Sequence, residues 1–224
     1  MISIILPVLN EEKNIEEMLL NINSLEGKKE VIVVDGGSSD RTVEKASGYA
    51  KVIHSERGRA NQMNVGAEEA LGDILWFVHS DSQLHNRSLQ SIEEAINRGY
   101  VGGGFSLSFY DCHTIFMRFV AITSNFRAKL LKLIFGDQGI FIKKDIFLKL
   151  GGYPHIELME DWELSKKLYK AGKVKMLKTS IGTSARRFNK GGQFKTLLLM
   201  QKIKLLYILG VSPSKLKEIY REAR

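Results

Sequence analysis

His79, Asp81 and Gln83 alternate along Trp76-Phe-Val-His-Ser-Asp-Ser-Gln83, so an extended chain aims an imidazole, a carboxylate and an amide oxygen the same way. Their mixed character suits Mn²⁺ or Mg²⁺ held also by substrate phosphate oxygens. The structural alternative is a hydrogen-bonded histidine at a strand end beside an Asp helix cap. A Ser-His-Asp relay is disfavoured: neighbours on one strand cannot form it, and no nucleophile-elbow glycines surround either serine.

Further groups recur at places where strands should end. Pro7-Val-Leu-Asn-Glu-Glu12 offers Asn10 and Glu11 as hydrogen-bonding partners for a nucleoside, or as a helix cap with first-turn acids. It lacks the glycines of a dinucleotide fingerprint, and no glycine-rich loop followed by Lys-Ser/Thr occurs. Asp35-Gly-Gly-Ser-Ser-Asp40 puts a carboxylate before glycines, Gly36 among them, that permit close backbone approach to a ligand. Asp35 can accept from a base N–H or ribose hydroxyls, whereas Asp40 reads as a helix cap. Arg57 and Arg59 flank Gly58, and Arg186 is adjacent to Arg187; planar guanidinium forks suit phosphates, and solvated basic turns are the alternative. Asp161, in Leu158-Met-Glu-Asp-Trp-Glu-Leu164, falls where a helix should begin. It could take a proton from an attacking hydroxyl, its pKa kept low by the helix N-terminus, or it could be a simple cap.

The elements that must position these groups alternate. Continuous apolar runs at 2–6, 31–34, 52–53 and 74–78 read as strands. Ile15, Met18, Leu19, Ile22 and Leu25 fall at helical spacing, Arg59 to Ala70 is a small-residue helix, and Leu89, Ile92 and Ile96 mark another. Buried strands between helices predict a parallel sheet covered on both faces, with ligands beyond the strands' carboxyl ends. After Gly102-Gly-Gly104 the pattern changes. Phe105, Leu107 and Phe109 alternate with serines as in a half-exposed strand. A helix is expected at about 115–135, strands at 139–142 and 174–177, a helix at 160–171, and helices at 193–210 and 214–224.

Composition bounds the partners. The net charge of +8 favours something anionic: a nucleoside diphosphate, a lipid phosphate, an acidic membrane or a nucleic acid. No RNA-recognition or zinc signature supports the last. The lone Cys112 excludes an internal disulfide and a thiolate metal site. The N-terminus does not read as a signal peptide, and no run reaches about 18 uninterrupted apolar residues. A cytoplasmic protein is expected. The stretch from Phe194 to Gly210 is apolar with lysines, which suits a docking helix or, less strongly, the inner surface of a membrane.

Together ILPVLNEE, VIVVDGGSSDRT, RGRANQMNVGA, GDILWFVHSDS, GDQGIF, GGYPHIELMEDWEL and SARRF, spanning Ile5 to Phe188, resemble family-2 glycosyltransferases of the GT-A fold. The combination looks most like the subgroup named for arsenosugar biosynthesis. The resemblance implies one GT-A domain over 1–224, a mixed, mostly parallel α/β sheet flanked by helices. Residues 1–100 would bind nucleotide, 101–190 would carry acceptor and catalytic groups, and 191–224 would be C-terminal helices. Pro7, Asn10, Glu11, Asp35, Gly36, Arg57, Arg59, Asp137, Gln138, Arg186 and Arg187 would bind a UDP- or GDP-linked sugar. His79 to Asp81 occupies the position of the family's Asp-x-Asp metal motif with His79 replacing the first Asp, so Asp81 is the principal ligand and His79 and Gln83 accompany it. Glu160 and Asp161 match the family's Glu-Asp pair, with Asp161 as base. Arg186-Arg187 fall where the family carries Gln-x-x-Arg-Trp; the Gln is absent and Phe188 replaces the Trp, which argues against processive polymer synthesis. The expected reaction is an inverting, metal-dependent transfer to the hydroxyl of a small or lipid-linked acceptor, by a monomer or a homo-oligomer. A nucleotidyltransferase, a basic nucleic-acid-binding protein and an inactive scaffold are the competing readings.

Overall fold

The computed structural model describes residues 1–222. In its first half, β1 (Ile2–Val8), β2 (Lys29–Asp35), β3 (Lys51–His54) and β4 (Ile74–Phe77) alternate with α1 (Ile15–Ser24), α2 (Thr42–Ser47) and α3 (Arg59–Glu69). There follow β5 (Ser82–Gln83), α4 (Ser88–Asn97), β6 (Gly102–Phe109), α5 (Ile115–Leu130), β7 (Phe141–Lys143), α6 (Lys144–Lys149), α7 (Glu160–Ala171), β8 (Val174–Thr183), α8 (Arg186–Gly191), α9 (Gln193–Ile208) and α10 (Pro213–Glu222). The expected C-terminal helix thus runs through Glu222, and its last two residues lie outside the described ones.

Among the described residues the strands form one mixed sheet in the order β3-β2-β1-β4-β7-β6-β8-β5. β1 is parallel to β2 and β4, β2 to β3, and β6 to β8; β7 is antiparallel to β4 and β6, and β5 to β8. The period-2 alternation of β1 divides the core. Ile2, Ile4, Leu6 and Val8 pack with Ile15, Met18, Leu19 and Ile22 of α1 on one face. Ile5 joins Ile32, Val34, Ala60, Met63 and Ala67 on the other. Gly66 lets α3 approach closely: a Cβ there would lie 2.5 Å from Ile5 Cγ2.

The topology aims the polar groups. β1, β2, β4, β6 and β8 run the same way, so their carboxyl ends share one edge. Because β7 is antiparallel to β4, with Phe141 opposite Trp76, its beginning lies at that same edge. The single 3₁₀ turn Gly136–Gln138, just before β7, is thereby delivered beside the end of β4.

The two largest boundary differences from the sequence expectation are the ends of α5 and β8. α5 stops at Leu130 because Lys132 turns left-handed, φ 56°, which sends Leu133 and Ile134 into the core. β8 extends to Thr183, paired through most of its length with β6 across a bulge between Gly104 and Ser106.

Candidate active site

A cleft of about 750 Å³ opens at this edge. The β1 end contributes Pro7 and Glu11, the turn into α3 gives Arg57 and Arg59, and the β4 end gives His79 and Asp81. Asp137 comes from the 3₁₀ turn, Glu160 and Asp161 from the start of α7, and Arg186 and Arg187 from α8. These groups are far apart in sequence, and the sheet brings them together.

Asp161 has the most informative environment. Its side chain is buried, Oδ2 accepts from Gly136 N–H at 2.8 Å, and Oδ1 has no protein partner. The expectation that a helix N-terminus keeps its pKa low is corrected. Burial, then the Glu160 carboxylate, push the carboxyl up to about 7, against Arg59 and the Gly136 N–H. The dipole at a helix N-terminus is worth about 0.3–1 kcal/mol, and desolvation beside a like charge exceeds it. Arg59 Nη1 lies 3.5 Å from Glu160 Oε1 and ties α3 to α7. Met159, immediately before α7, is left-handed with φ 73°, a strained setting for a residue with a side chain, of about 1–3 kcal/mol. That turn presents both carboxylates.

His79 and Asp161 approach the same glycine. A Cβ on Gly136 would lie 2.7 Å from His79 Nε2 and 2.9 Å from Asp161 Oδ2. Burial, with Arg59, Arg187 and Arg186 adding repulsion, lowers the His79 pKa to about 3, so the ring is neutral at ordinary pH. Arg186 Nη2 is 3.1 Å from Asp81 Oδ2 and 3.6 Å from Glu11 Oε1, so one guanidinium bridges the ends of β1 and β4.

Among the described residues no cluster of three or more His, Cys, Asp or Glu can hold a metal by itself. Asp81 supplies a hard carboxylate oxygen in the cleft, with neutral His79 two residues away. That partial set fits an Mg²⁺ or Mn²⁺ ion whose remaining positions are filled by phosphate oxygens and water. Arg57, Arg59, Arg186 and Arg187 around it suit the phosphates themselves.

Five expected residues sit elsewhere. Gln83 lies in β5, opposite Gly182 of β8 at the sheet edge, and is not among the cleft-lining residues. Alternation from Asp81 fails because β5 pairs with β8 and redirects the chain. Gln138 is fully buried: its Oε1 accepts from Arg127 and its Nε2 reaches Phe105 O and Asn125 Oδ1. Asp35 folds onto its own turn, accepting from Gly37 and Ser38 N–H, with His54 Nδ1 3.4 Å away. Burial pushes its pKa up, but the bonds from Ser38 and Gly37 outweigh that and hold it low. Asn10, left-handed at φ 55°, accepts from Ser39 N–H. Gly36 faces the Gln62 side chain.

Sequence reasoning missed Gln62, whose Nε2 donates to Val8 O and Val34 O and so clamps the ends of β1 and β2 beneath the cleft. It also missed Arg127 and Lys204. Arg127 lies 4.2 Å and Lys204 5.5 Å from the Phe135 ring centroid, and both line the cleft with half-buried Asp137. Burial and then Arg127 lower the Lys204 pKa to about 8, while burial raises that of Asp137. The available signal was a cation standing within an otherwise apolar helical run.

A mixed α/β sheet with charged groups gathered at one edge suits an anionic ligand, and comparison with known proteins narrows the class. Residues 3–148, more than half of the chain, match Glycosyl transferase family 2, and the chain belongs to that family. It is 36% identical over 120 residues to a dolichol-phosphate mannosyltransferase of Pyrococcus furiosus, covering 46% of this chain and 34% of that protein. Glycosyltransferase AglE of Haloferax volcanii is 27% identical over 177 residues, covering 69% of this chain and 56% of its own. The chain therefore spans from a third to somewhat over half the length of these curated relatives. A mannosyltransferase from Pyrobaculum calidifontis, solved in complex with GDP-Man and Mn²⁺, shares the GT-A type fold, with a TM-score of 0.64 at 20% identity over 99% of this chain and 68% of that one.

Proposed function

We propose that the chain transfers a sugar from a nucleoside-diphosphate donor to an acceptor hydroxyl in one inverting displacement. The observation that carries this is Asp161: a cleft-lining carboxylate with one oxygen anchored, the other buried without a protein partner, and a pKa raised towards neutrality. The Asp161 carboxylate takes the proton of the acceptor hydroxyl as the hydroxyl oxygen bonds to the anomeric carbon. The bond from that carbon to the diphosphate oxygen breaks, and the nucleoside diphosphate leaves with the electron pair. Arg186 and Arg187 orient the diphosphate and offset its growing charge. Arg59 and Glu160 hold the start of α7 in place. Pro7, Glu11 and Arg57 line the nucleoside side of the cleft. Asp81, with His79, would hold a divalent cation, which when bound stabilises charge on the leaving group.

Support for a UDP- or GDP-linked donor and for Mn²⁺ comes from relatives such as the GDP-Man and Mn²⁺ complex and the glucosyl-3-phosphoglycerate synthase of Mycobacterium tuberculosis bound to UDP and Mn²⁺. In this reading the whole chain acts as one unit at the cytoplasmic side, with 1–100 holding donor, 101–190 supplying the acceptor side and 191–224 completing the wall. The motif order from Ile5 to Phe188 supports the arsenosugar-type subgroup. Family membership disfavours the nucleotidyltransferase and nucleic-acid readings, and the carboxylates and arginines gathered in one cleft disfavour an inactive scaffold.

The test is Asp161→Asn. Transfer should fall by about 10²-fold or more, while calorimetry with the nucleotide sugar and Mn²⁺ gives a dissociation constant within about twofold of wild type. Normal turnover with normal donor binding would remove Asp161 from the base role.

A further inference from the structure

α5 and α9 carry apolar side chains that nothing in the fold covers. On α5, Ile115, Phe119, Ile122, Phe126 and Leu130 recur every three or four residues and form one stripe. They are 87%, 56%, 66%, 63% and 62% exposed. On α9 the opposite face packs through Thr196 and Ile203, yet Phe194, Leu198, Leu205 and Ile208 remain exposed. The two helices are neighbours: the Phe116 and Phe194 rings meet at a tilt of 47° with centroids 4.5 Å apart, and Leu197 and Met200 pack against the cluster of Met117 and Val120. Exposed apolar side chains in this number exceed the scattering found on ordinary soluble surfaces.

The charge around the stripes selects the occupant. Between Asp111 and Asp137, and again between Glu163 and Glu218, the chain has no acidic residue. The exposed polar positions of the two helices include Arg118, Lys129, Lys195 and Lys202. Apolar side chains interspersed with cations on two helices that carry no carboxylate of their own are the chemistry of a helix pair lying in the headgroup layer of an anionic bilayer. A second copy of this chain fits poorly, since a two-fold contact would oppose the same cations to themselves.

We propose that α5 and α9 together dock the protein on an anionic lipid surface. The proposal deepens the transferase reading, because both helices also wall the cleft, α5 through Val120, Ser124 and Arg127 and α9 through Leu197, Met200 and Lys204. An acceptor hydroxyl borne by a membrane lipid then reaches Asp161 along these helices without leaving the interface.

The experiment is co-sedimentation of the full chain with vesicles of phosphatidylcholine alone and of phosphatidylcholine with phosphatidylglycerol, at low and high salt. Three proteins are compared: wild type, Phe119→Ser/Phe126→Ser, and Lys195→Glu/Lys202→Glu, all at exposed positions. Wild type should bind the anionic vesicles, and each double variant should lose about tenfold or more in partitioning, the lysine effect shrinking at high salt. Binding of UDP- and GDP-sugars with Mn²⁺, measured without vesicles, should be the same in all three. Sedimentation equilibrium covers the competing occupant. Wild type that ignores anionic vesicles, or forms a dimer that Phe119→Ser/Phe126→Ser dissolves, overturns docking. Loss of nucleotide-sugar binding in wild type with vesicle binding intact would instead reject the transferase reading and leave docking standing.

Discussion

In the proposed reaction Asp161 and Asp81 would divide the chemistry between a proton and a diphosphate, and their surroundings differ. Asp161 is buried beside a second carboxylate, so its protonated form persists to about pH 7. A base must be ionised to accept a proton. Transfer should therefore fall as pH drops below about 7, and a kcat/KM profile should place an acidic limb there that Asp161→Asn removes. The same raised pKa means that the folded state gives up stability as pH rises from the unfolded carboxyl value through 7. Asp81 is partly exposed and paired with Arg186. Asp81→Ala should abolish the Mn²⁺-dependent part of donor binding in calorimetry while leaving the fold intact by circular dichroism; unchanged Mn²⁺ dependence would shift the ligand role elsewhere. Much of this was legible from residue types at strand ends: Pro7, Glu11, Arg57, Arg59, His79, Asp81, Asp137, Glu160, Asp161, Arg186 and Arg187 all line one cleft. The Asp161 environment was not, because it depends on Gly136 and Arg59, which only tertiary structure brings close.

At the scale of elements, the antiparallel β7 is the decisive insertion. Apolar periodicity identified its neighbourhood as a strand but carries no information on direction, and direction puts the 3₁₀ turn beside His79. Gly136 must lack a side chain there. Gly136→Ala would drive a methyl between His79 Nε2 and Asp161 Oδ2, so we expect a loss of kcat of about tenfold or more, with Tm lowered by only a few degrees, in steady-state kinetics and thermal melts. An unaltered kcat would mean that the carboxylate position is not critical. Gln83 teaches the converse. A two-residue strand cannot be read from pattern, so its pairing with β8 was invisible and the alternating aim from Asp81 was overextended. Likewise helical spacing announced α5 and α9 without saying which of their faces the protein would leave bare.

Across the whole molecule, charge is arranged by region. The first half mixes acids and bases, whereas the long acid-free run from Leu164 to Lys217 covers β8, α8 and α9 and concentrates the +8 excess near the cleft and its α9 wall. That distribution would accelerate encounter with anionic donors and surfaces, more at low ionic strength. The sheet itself ends in short borders. β3 offers four residues carrying exposed Lys51 and His54, and β5 offers two. Such borders resist the strand-to-strand recruitment that seeds fibrils. Clumping of this protein during concentration would accordingly proceed through helical grease and not through growing β-structure, and mild detergent would disperse it where chaotropes would be needed for an amyloid.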